Sequence, residues 1–501
     1  MKGFCRMLSW ILLASLALAA CQPAVTWPAE DWPTTTPESQ GIDSAKLADA
    51  LIAMRERNIQ IHSLLVIRDG KALVDAYFYP YDGSTVHDLA SVTKSVMTTL
   101  IAIAADQGKL DLDASMISFF PDRTIANLDA RKGKITVRHL ASMSSGLDSV
   151  GFAQDEGTLT AMRSSPDYVQ FALDRKVIHE PGTRFIYDSP GMHLLSAILQ
   201  QATGKTALEF AQENLFTPLG ITDYLWRSDP QGYSHGWSDL YLHPRDAAKI
   251  GYLWLHGGMW DGKRIVSEKW VEASHARLLD MGDDMYGYGW WVDAESGSYW
   301  AAGRGGQYIR VEPTVNALIV TTGGGFDYDD MAALLVPALV DPEHALPENP
   351  EGMKKLEAAL VSIAQSPAPK EVAPLPKIAL AISDNTYVFE PNPLGVDALR
   401  IEFDDSDEAR LHITLAGDKE PQIWPMGLDG VFRMSPSDFG LSQGLRGEWM
   451  DDETFMMERD SVANNDHAFY TVRFENGHMS IQGQETAHEL STRVKGRLQG
   501  P

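Results

Sequence analysis

The chain of 501 residues carries 42 basic and 68 acidic side chains, which gives a formal net charge of −26. Its apolar content of 44% and charged content of 22% are typical of a globular protein and exclude a disordered chain. The acidic balance argues against nucleic acid as a partner, because phosphate binding needs a concentrated basic face. Two cysteines exclude a disulfide scaffold and a cysteine-rich zinc site.

The N-terminus predicts an export signal. Lys2 and Arg6 introduce an almost wholly apolar stretch at 7–20, which is shorter than the roughly 20 residues that a bilayer-spanning helix needs. The stretch ends in Leu-Ala-Ala-Cys at Cys21, which is similar to the lipobox of bacterial lipoproteins. This similarity implies that Cys21 is lipidated and holds the protein to a membrane surface. Gln22 after the cysteine, rather than Asp, resembles the pattern of lipoproteins that are sorted to the outer membrane. This resemblance implies a location on the periplasmic face of that membrane. The alternative is an ordinary signal cleaved nearby, with Cys21 incidental.

The next segments predict a short tether and the start of a mixed domain. Residues 21–40 are rich in Pro, Thr and Trp, as expected for a tether, and a helix is expected from Ser44. Two strand-like runs follow at 64–67 and 72–78. The Asp-Gly pair at 69–70 predicts a hairpin between them, because a type I′ turn needs positive φ.

From about residue 90 to residue 275 the apolar periodicity is mostly helical. Further strands are expected C-terminal to this insertion, so that one sheet would be assembled from distant chain segments. These strands are predicted near 289–293, 297–302, 306–311 and 316–322.

The pattern changes beyond residue 365. The proline-rich segment at 366–376 predicts a semi-rigid linker. From 377 to 501, short alternating runs are separated by turns that contain Gly or Asn, which predicts a small antiparallel sandwich or barrel. We therefore expect a main domain at 41–365 and a separate β domain at 377–501 that contributes no catalytic group.

Ser91 and Lys94 form the only Ser-x-x-Lys match in the sequence, at the head of an apolar helix. The i,i+3 spacing places both side chains on one helical face. A helix N-terminus favours an alkoxide and disfavours a protonated lysine, so a desolvated Lys94 could act as a base toward Ser91. Taken alone, the pair is equally compatible with an exposed first helical turn.

Two later elements are weak individually. Tyr187 stands at the head of another apolar helix, where its hydroxyl could enter a cleft or simply pack with its tip in water. Gly303, Arg304 and Gly305 follow a strand-like run. Glycines at a strand edge let a substrate approach the backbone, although a plain hairpin turn would look the same.

Together and in this order, the three elements resemble the serine hydrolases of the β-lactamase and penicillin-binding-protein superfamily, in its class C-like branch. The stretches at 135–140 and 245–251 are similar to that family as well. The resemblance covers roughly residues 38–340. It implies an α+β fold, in which an antiparallel sheet flanked by helices and a helical lobe enclose the active site, followed here by a C-terminal all-β domain.

The resemblance also implies roles by position. Ser91 would be the acylated nucleophile, Lys94 its base, and Tyr187 the group that shuttles protons to and from the leaving group. The backbone amides of Ser91 and Arg304 would form the oxyanion hole. The oxyanion and substrate-binding residues expected in this way are Ser91, Arg304, Ser189, Gly303 and Gly305.

Two positions depart from the superfamily pattern. Ser189 replaces the Asn of Tyr-x-Asn, and Ala301 replaces the Lys or His that often opens the third motif. Both departures resemble the esterase and 6-aminohexanoate-dimer hydrolase members. We therefore expect an exported, lipid-anchored serine hydrolase that cleaves a small ester or amide through an acyl-enzyme, without cofactor or metal. The alternatives are a β-lactamase or D-amino-acid peptidase, and a catalytically silent lipoprotein that binds a ligand.

Overall fold

The computed structural model describes residues 25–28, 31–149, 151–276, 279–281, 284–293, 295–341, 343–404, 406–437, 440–475, 477–486 and 490–499. The predicted signal at 1–20 and the predicted lipidation site, Cys21, lie outside these residues. No helix within the described ranges combines the length and the hydrophobicity that a membrane span requires.

Helices dominate the middle of the chain, where they form a lobe on one side of the sheet. The helix Ala207–Ala211 continues through a π-helical turn, Gln212–Phe216, into Thr217–Leu219. The helices are α1 (Ser44–Glu56), α2 (Val92–Asp106), α3 (Val137–Ala141), α4 (Gly151–Arg163), α5 (Tyr168–Asp174), α6 (Ser189–Thr203), α7 (Ala207–Ala211), α8 (Pro244–Leu255), α9 (Glu268–Ser274), α10 (Tyr328–Leu335), α11 (Pro350–Ala364) and α12 (Lys377–Ile382).

Strands lie at both ends of this helical insertion and again at the C-terminus. Those of the first 341 residues are β1 (Gln60–Arg68), β2 (Lys71–Tyr77), β3 (His87–Asp88), β4 (Tyr224–Trp226), β5 (Leu240–Leu242), β6 (Met259–Trp260), β7 (Lys263–Arg264), β8 (Leu279–Met281), β9 (Asp284–Tyr286), β10 (Trp291–Val292), β11 (Tyr299–Gly303), β12 (Gln307–Glu312) and β13 (Ala317–Gly325). Those of the C-terminal part are β14 (Tyr387–Phe389), β15 (Val396–Phe403), β16 (Glu408–Leu415), β17 (Gln422–Gly427), β18 (Arg433–Pro436), β19 (Ser442–Trp449), β20 (Thr454–Asp460), β21 (His467–Glu475), β22 (His478–Glu485) and β23 (Leu490–Leu498).

The central sheet is antiparallel and joins strands from distant parts of the chain. Its described order is β2-β1-β13-β12-β11-β10-β9-β8. Leu64 of β1 lies opposite Thr321 of β13, which confirms the predicted assembly from both ends of the helical insertion. The hairpin between β1 and β2 turns at Asp69 and Gly70, whose φ values of 49° and 71° are the positive angles that a type I′ turn needs.

The α2 helix occupies the core of the helical lobe and packs against α6. Every residue from Val92 to Ala104 is buried. A helix that is buried on every face belongs to the interior of a large domain, and here the lobe and the sheet surround it. The predicted α+β fold, with a sheet and a helical lobe, is confirmed.

The described part of the predicted tether lies against the main domain. The Trp27 ring packs on Tyr252 at a centroid distance of 5.4 Å, and Trp32 is only 6% exposed. The Trp32 indole donates a hydrogen bond to the carbonyl of Arg245 over 3.0 Å. Packing these large aromatic side chains against the domain is more favourable in free energy than leaving them in water, so this segment follows the surface.

Strands β14–β23 of the C-terminal part form an antiparallel barrel in the residues that the structure describes. Their order runs β17-β16-β15-β14-β23-β22-β21-β20-β19-β18, and a parallel bridge between Gly427 of β17 and Arg446 of β19 closes the curved sheet. The predicted C-terminal β fold is confirmed as a barrel, with the short helix α12 before its first strand. The chosen boundaries at 366 and 377 stay predictions.

The barrel packs on the main domain through a mixed interface. An apolar cluster combines side chains of both parts, including Tyr81 and Tyr241 from the main domain and Val462 from the barrel. Beside this cluster, buried His62 hydrogen-bonds His87 over 2.8 Å and faces Asp460 of the barrel at 3.7 Å. The barrel is therefore attached next to β3, the strand that precedes the α2 helix.

Candidate active site

Ser91 is the one residue between Val86 and Ala104 that is not buried. It occupies the N-cap position of α2 without a side-chain capping hydrogen bond, and the residue before it, Ala90, has a φ of 45°. A positive φ is uncommon for a residue with a side chain and has to be held by its surroundings. The fold thus presents one serine hydroxyl at the end of an otherwise buried helix, on a constrained segment of backbone.

Lys94 lies one helical turn further on and is 2% exposed. Its Nζ donates hydrogen bonds to Ser91 Oγ over 2.7 Å and to the carbonyl of Trp237 over 2.9 Å. Among the described residues, no carboxylate lies within ion-pair distance of this amine. A base must lie within hydrogen-bond reach of the proton that it removes, and Lys94 meets that requirement toward Ser91.

Tyr187 lies on the other side of the lysine. Lys94 Nζ stands 4.8 Å from the centre of the Tyr187 ring, which stacks on Trp291 at 6.4 Å with an interplanar angle of 16°. The next residue, Asp188, caps α6 and forms a buried bidentate ion pair with Arg175, at 2.7 Å and 3.1 Å. The fold therefore brings the three predicted catalytic residues together and anchors the tyrosine through its neighbour.

Gly303 lets the end of β11 approach the nucleophile segment. A Cβ at this position would lie 2.5 Å from the carbonyl oxygen of Leu89 and 3.1 Å from the Cβ of Ala90. Any side chain would push the two segments apart. The expected substrate-binding role of Gly303 thus has a physical basis, since the backbone that follows it lies beside the segment leading to Ser91.

The turn after Gly303 is braced by Gln307, which is fully buried. Its amide donates to the carbonyl of Arg304 over 3.0 Å and to that of Gly323 over 2.7 Å, and its side-chain oxygen accepts from the Gly323 amide over 3.1 Å. Gly305 has a φ of 85°, which favours glycine. The glutamine holds the main chain at Arg304, whose amide is the second expected oxyanion donor.

Ala301 stands where the superfamily often has a Lys or His. The Arg304 side chain points away from this position, so it does not supply the missing cation. Its guanidinium pairs with Asp466 at 3.2 Å and with Glu485 at 3.7 Å, both of them in the barrel. Ala301 itself is fully buried, and Ser189 is 2% exposed at the start of α6. The arginine of the third motif thus connects the main domain to the barrel.

Asp88 and Asn465 are site residues that the sequence analysis missed. Asp88 is buried, and its Oδ1 accepts a hydrogen bond from the Ala90 amide over 2.9 Å. Its Oδ2 accepts from Asn465 Nδ2, and its amide donates to the carbonyl of Ala463 over 2.9 Å. Burial, reinforced by the carboxylate of Asp239, raises the pKa of Asp88 to about 7.

These contacts bring the barrel loop at 461–466 to the backbone that presents Ser91. The only signal in the sequence is a carboxylate three residues before the serine, within an apolar run. Its partner is 377 positions away, so no local pattern could have connected the two residues.

No group of three or more His, Cys, Asp and Glu side chains is arranged to hold a metal ion in the described part of the chain. Two buried histidines of the helical lobe instead pair with carboxylates. His193 contacts Asp229 at 3.0 Å and His235 contacts Asp239 at 2.5 Å. Burial lowers the pKa of His193.

A comparison with protein families agrees with this geometry. The family model described as Beta-lactamase matches residues 47–335, which is more than half of the chain. The chain belongs to the beta-lactamase family. The matched range contains Ser91, Lys94, Tyr187 and Arg304, and it ends before the predicted linker and the barrel.

Among characterised relatives, the chain is similar to the 6-aminohexanoate-dimer hydrolase of Paenarthrobacter ureafaciens, with 25% identity over 289 residues, 53% of this chain and 73% of that protein. It is also similar to the monacolin J acid methylbutanoyltransferase of Aspergillus terreus, with 29% identity over 164 residues, 30% of this chain. The chain spans only 40% of the length of that acyltransferase.

Among solved structures, the chain is similar to a Bacillus anthracis protein assigned as a 6-aminohexanoate-dimer hydrolase, with a TM-score of 0.51 and 19% identity over 68% of this chain and 89% of that one. This likeness shows the fold. The predicted superfamily is confirmed, and the relatives of the chain include esterases, amidases and acyltransferases.

Proposed function

We propose that this protein is an exported serine hydrolase that cleaves a small ester or amide through an acyl-enzyme on Ser91. The observation that carries the proposal is the 2.7 Å hydrogen bond between Lys94 Nζ and the one accessible hydroxyl at the head of a buried helix. A nucleophile in contact with a base, close to backbone amides that can stabilise an oxyanion, is the arrangement that acyl transfer needs.

In the acylation step, neutral Lys94 accepts the hydroxyl proton while Ser91 Oγ attacks the carbonyl carbon of the substrate. The electrons of the carbonyl π bond move to its oxygen, which the amides of Ser91 and Arg304 stabilise. When this intermediate collapses, the bond to the leaving group breaks and Tyr187 relays the proton from Lys94 to the departing oxygen or nitrogen.

In the deacylation step, water replaces the leaving group. Its proton passes to the same base as its oxygen attacks the acyl carbon, and the Ser91 oxygen recovers a proton when the acyl bond breaks. The products are a carboxylic acid and an alcohol or amine. The Asp88–Ala90 hydrogen bond supports both steps, because it holds the backbone from which Ser91 projects.

We expect esters and short amides to be better substrates than β-lactams. With Ala301 buried and Arg304 paired to the barrel, neither of these positions supplies the cation that holds the carboxylate of a β-lactam. The loss of one charged hydrogen bond costs about 1.5–3 kcal/mol, or roughly one to two decades in rate. The measurement is kcat/KM for a p-nitrophenyl ester, a short anilide and a chromogenic cephalosporin on one preparation.

The matched control for this panel is the Ser91→Ala chain, which retains the cleft and gives the background rate for each substrate. A cephalosporin value equal to or above the ester value would favour the β-lactamase alternative, which the family match supports. If no substrate is turned over and a fluorophosphonate does not label Ser91, the proposed hydrolysis is refuted and the ligand-binding alternative is favoured.

We further propose that the mature chain begins at a lipidated Cys21 and is held to the bacterial cell envelope, on the periplasmic face of the outer membrane. The proposal rests on the apolar stretch and the Leu-Ala-Ala-Cys sequence. Intact-mass measurement of detergent-extracted protein should show a lipid-modified N-terminus, and Cys21→Ser should be released from membranes or left unprocessed. An unmodified mature chain that starts at another residue would contradict this.

A further inference from the structure

The barrel contains a cavity that the proposed hydrolysis does not use. Its volume is about 550 Å³. Small-molecule sites usually measure about 300–1,000 Å³. Its wall combines apolar and polar side chains. Six of the apolar ones come from five strands (Leu399, Leu411, Ile413, Leu445, Met457 and Ile481), and the uncharged polar ones include Gln443 and Tyr470.

The cavity occupies one half of the barrel interior. At the opposite end, aromatic rings fill the interior, with Phe403 lying 5.3 Å from Phe455 and 5.4 Å from Trp449. The cavity lies at the end where Asp466 and the 461–466 loop are found. A barrel interior that side chains close at one end and leave open at the other can hold one small ligand.

One charged group in the cavity wall, Arg459, forms no ion pair within the described residues, although it acts electrostatically on the neighbouring buried carboxylate of Asp460. Arg459 donates a hydrogen bond to Gln443 over 2.8 Å, and its guanidinium lies 5.5 Å from the ring of Trp424. It also interacts electrostatically with the Tyr470 hydroxyl. Within the described residues, no carboxylate lies within ion-pair distance of Arg459.

The carboxylates that line the same cavity are already engaged. Glu458 pairs with Arg446 at 2.7 Å and with His467 at 2.9 Å. Asp466 pairs with Arg304 at 3.2 Å. Among the charged side chains of this wall, Arg459 is therefore the one that forms no ion pair within the described residues.

We propose that the barrel cavity binds an amphiphile with an apolar chain and a carboxylate head group, which Arg459 receives. The chain would lie among the leucine, isoleucine and methionine side chains, where the removal of apolar surface from water favours binding. A guanidinium pairs well with a planar carboxylate because it can donate two parallel hydrogen bonds. Gln443 and Tyr470 would orient the head group.

This site adjoins the candidate active site through Asp466, which both lines the cavity and accepts a hydrogen bond from Arg304. A carboxylic acid is also the class of product that ester or amide hydrolysis releases. The binding proposal stands without the proposed hydrolysis, because it rests on the geometry of the barrel.

The test is calorimetric titration of the otherwise complete Ser91→Ala chain with decanoate and with 1-decanol. This chain separates binding from turnover, so a failure of the proposed hydrolysis leaves the result unaffected. We expect saturable binding of one decanoate per chain. Arg459→Gln should weaken decanoate binding about ten- to hundredfold, the loss expected for a charged hydrogen bond, and should leave 1-decanol binding unchanged.

Arg410→Gln is the matched control, because Arg410 adjoins Leu411 in β16 but its side chain is 48% exposed and pairs with Glu402. It should leave the binding of both ligands unchanged. Leu411→Trp should abolish both by filling the cavity. Hydrogen exchange of the Ser91→Ala chain should also show decanoate-dependent protection in β16 and β20. Absence of saturable binding, or equal binding by the Arg459→Gln chain, would overturn the proposal.

Discussion

Ser91→Ala, Lys94→Ala and the double variant are expected to retain the same small residual activity on a p-nitrophenyl ester. Each single change should lower kcat/KM by about 10³-fold or more, because groups that act as one catalytic unit give strongly non-additive losses. The physical reason is the direct Nζ–Oγ contact of 2.7 Å, through which the serine oxygen loses its proton. The measurement is initial rate against substrate concentration, corrected for spontaneous hydrolysis.

Lys132→Ala is the matched control for the loss of a buried lysine. Lys132 is fully buried and donates to the carbonyls of Ala126 and Leu173 over 2.7 Å and 2.8 Å. This variant should unfold at a lower temperature and keep its kcat, whereas Lys94→Ala should lose kcat. Near-full activity in Ser91→Ala, or additive losses in the double variant, would refute the proposed mechanism.

Asn465→Ala is expected to lower kcat about tenfold with little change in KM, although Asn465 belongs to the barrel. The change leaves Asp88 Oδ2 buried without a hydrogen-bond partner, which costs about 1–3 kcal/mol. It also loosens the segment that holds Ala90 at positive φ, and thereby the direction of the Ser91 hydroxyl. Kinetics on the same ester measure the effect.

Val462→Ala is the matched control in the same loop, because Val462 packs in the apolar cluster with Tyr81 and Tyr241 and its side chain makes no hydrogen bond to Asp88. This variant should keep its kcat. An equal loss of kcat in both variants would mean that the loop acts only through general stability, and no loss in either would remove Asn465 from the site.

Asp88, the partner of Asn465, makes the free energy of unfolding depend on pH. Its pKa rises from an ordinary 3.8 to about 7 in the folded chain, so folding favours the protonated carboxyl. Its contribution to the free energy of unfolding is therefore greatest below about pH 4 and is lost as the pH rises to about 7. Asp88→Asn should remove this dependence, so the Tm of the variant relative to that of the unaltered chain should increase from pH 4 to pH 7.

The asparagine variant is suited to this measurement because a partner for its amide is present. Asn465 Oδ1 is buried and has no hydrogen-bond partner among the described residues, so the Asn465 amide can turn to accept from the new side chain. A Tm difference that is constant from pH 4 to pH 7 would show that Asp88 does not titrate in this range.

The sequence alone was sufficient to predict the features that depend on residues close together in the chain. The Asp69-Gly70 turn follows from its two residue types, because few other pairs accept positive φ at both positions. Ser91 and Lys94 meet because their spacing equals about one helical turn. The order of the three motifs predicted the fold of the main domain, and alternating runs predicted the C-terminal β domain.

Only the tertiary structure decided where Arg304 points, what holds Ala90 at positive φ and how the barrel reaches the site. Arg304 pairs with Asp466, and Asp88 with Asn465, across a domain interface and more than 150 positions of sequence. Such pairs depend on how two separately formed surfaces pack, and the free energy of that packing comes from many contacts. Local periodicity and propensity describe a residue relative to its own helix or strand, so neither contains this information.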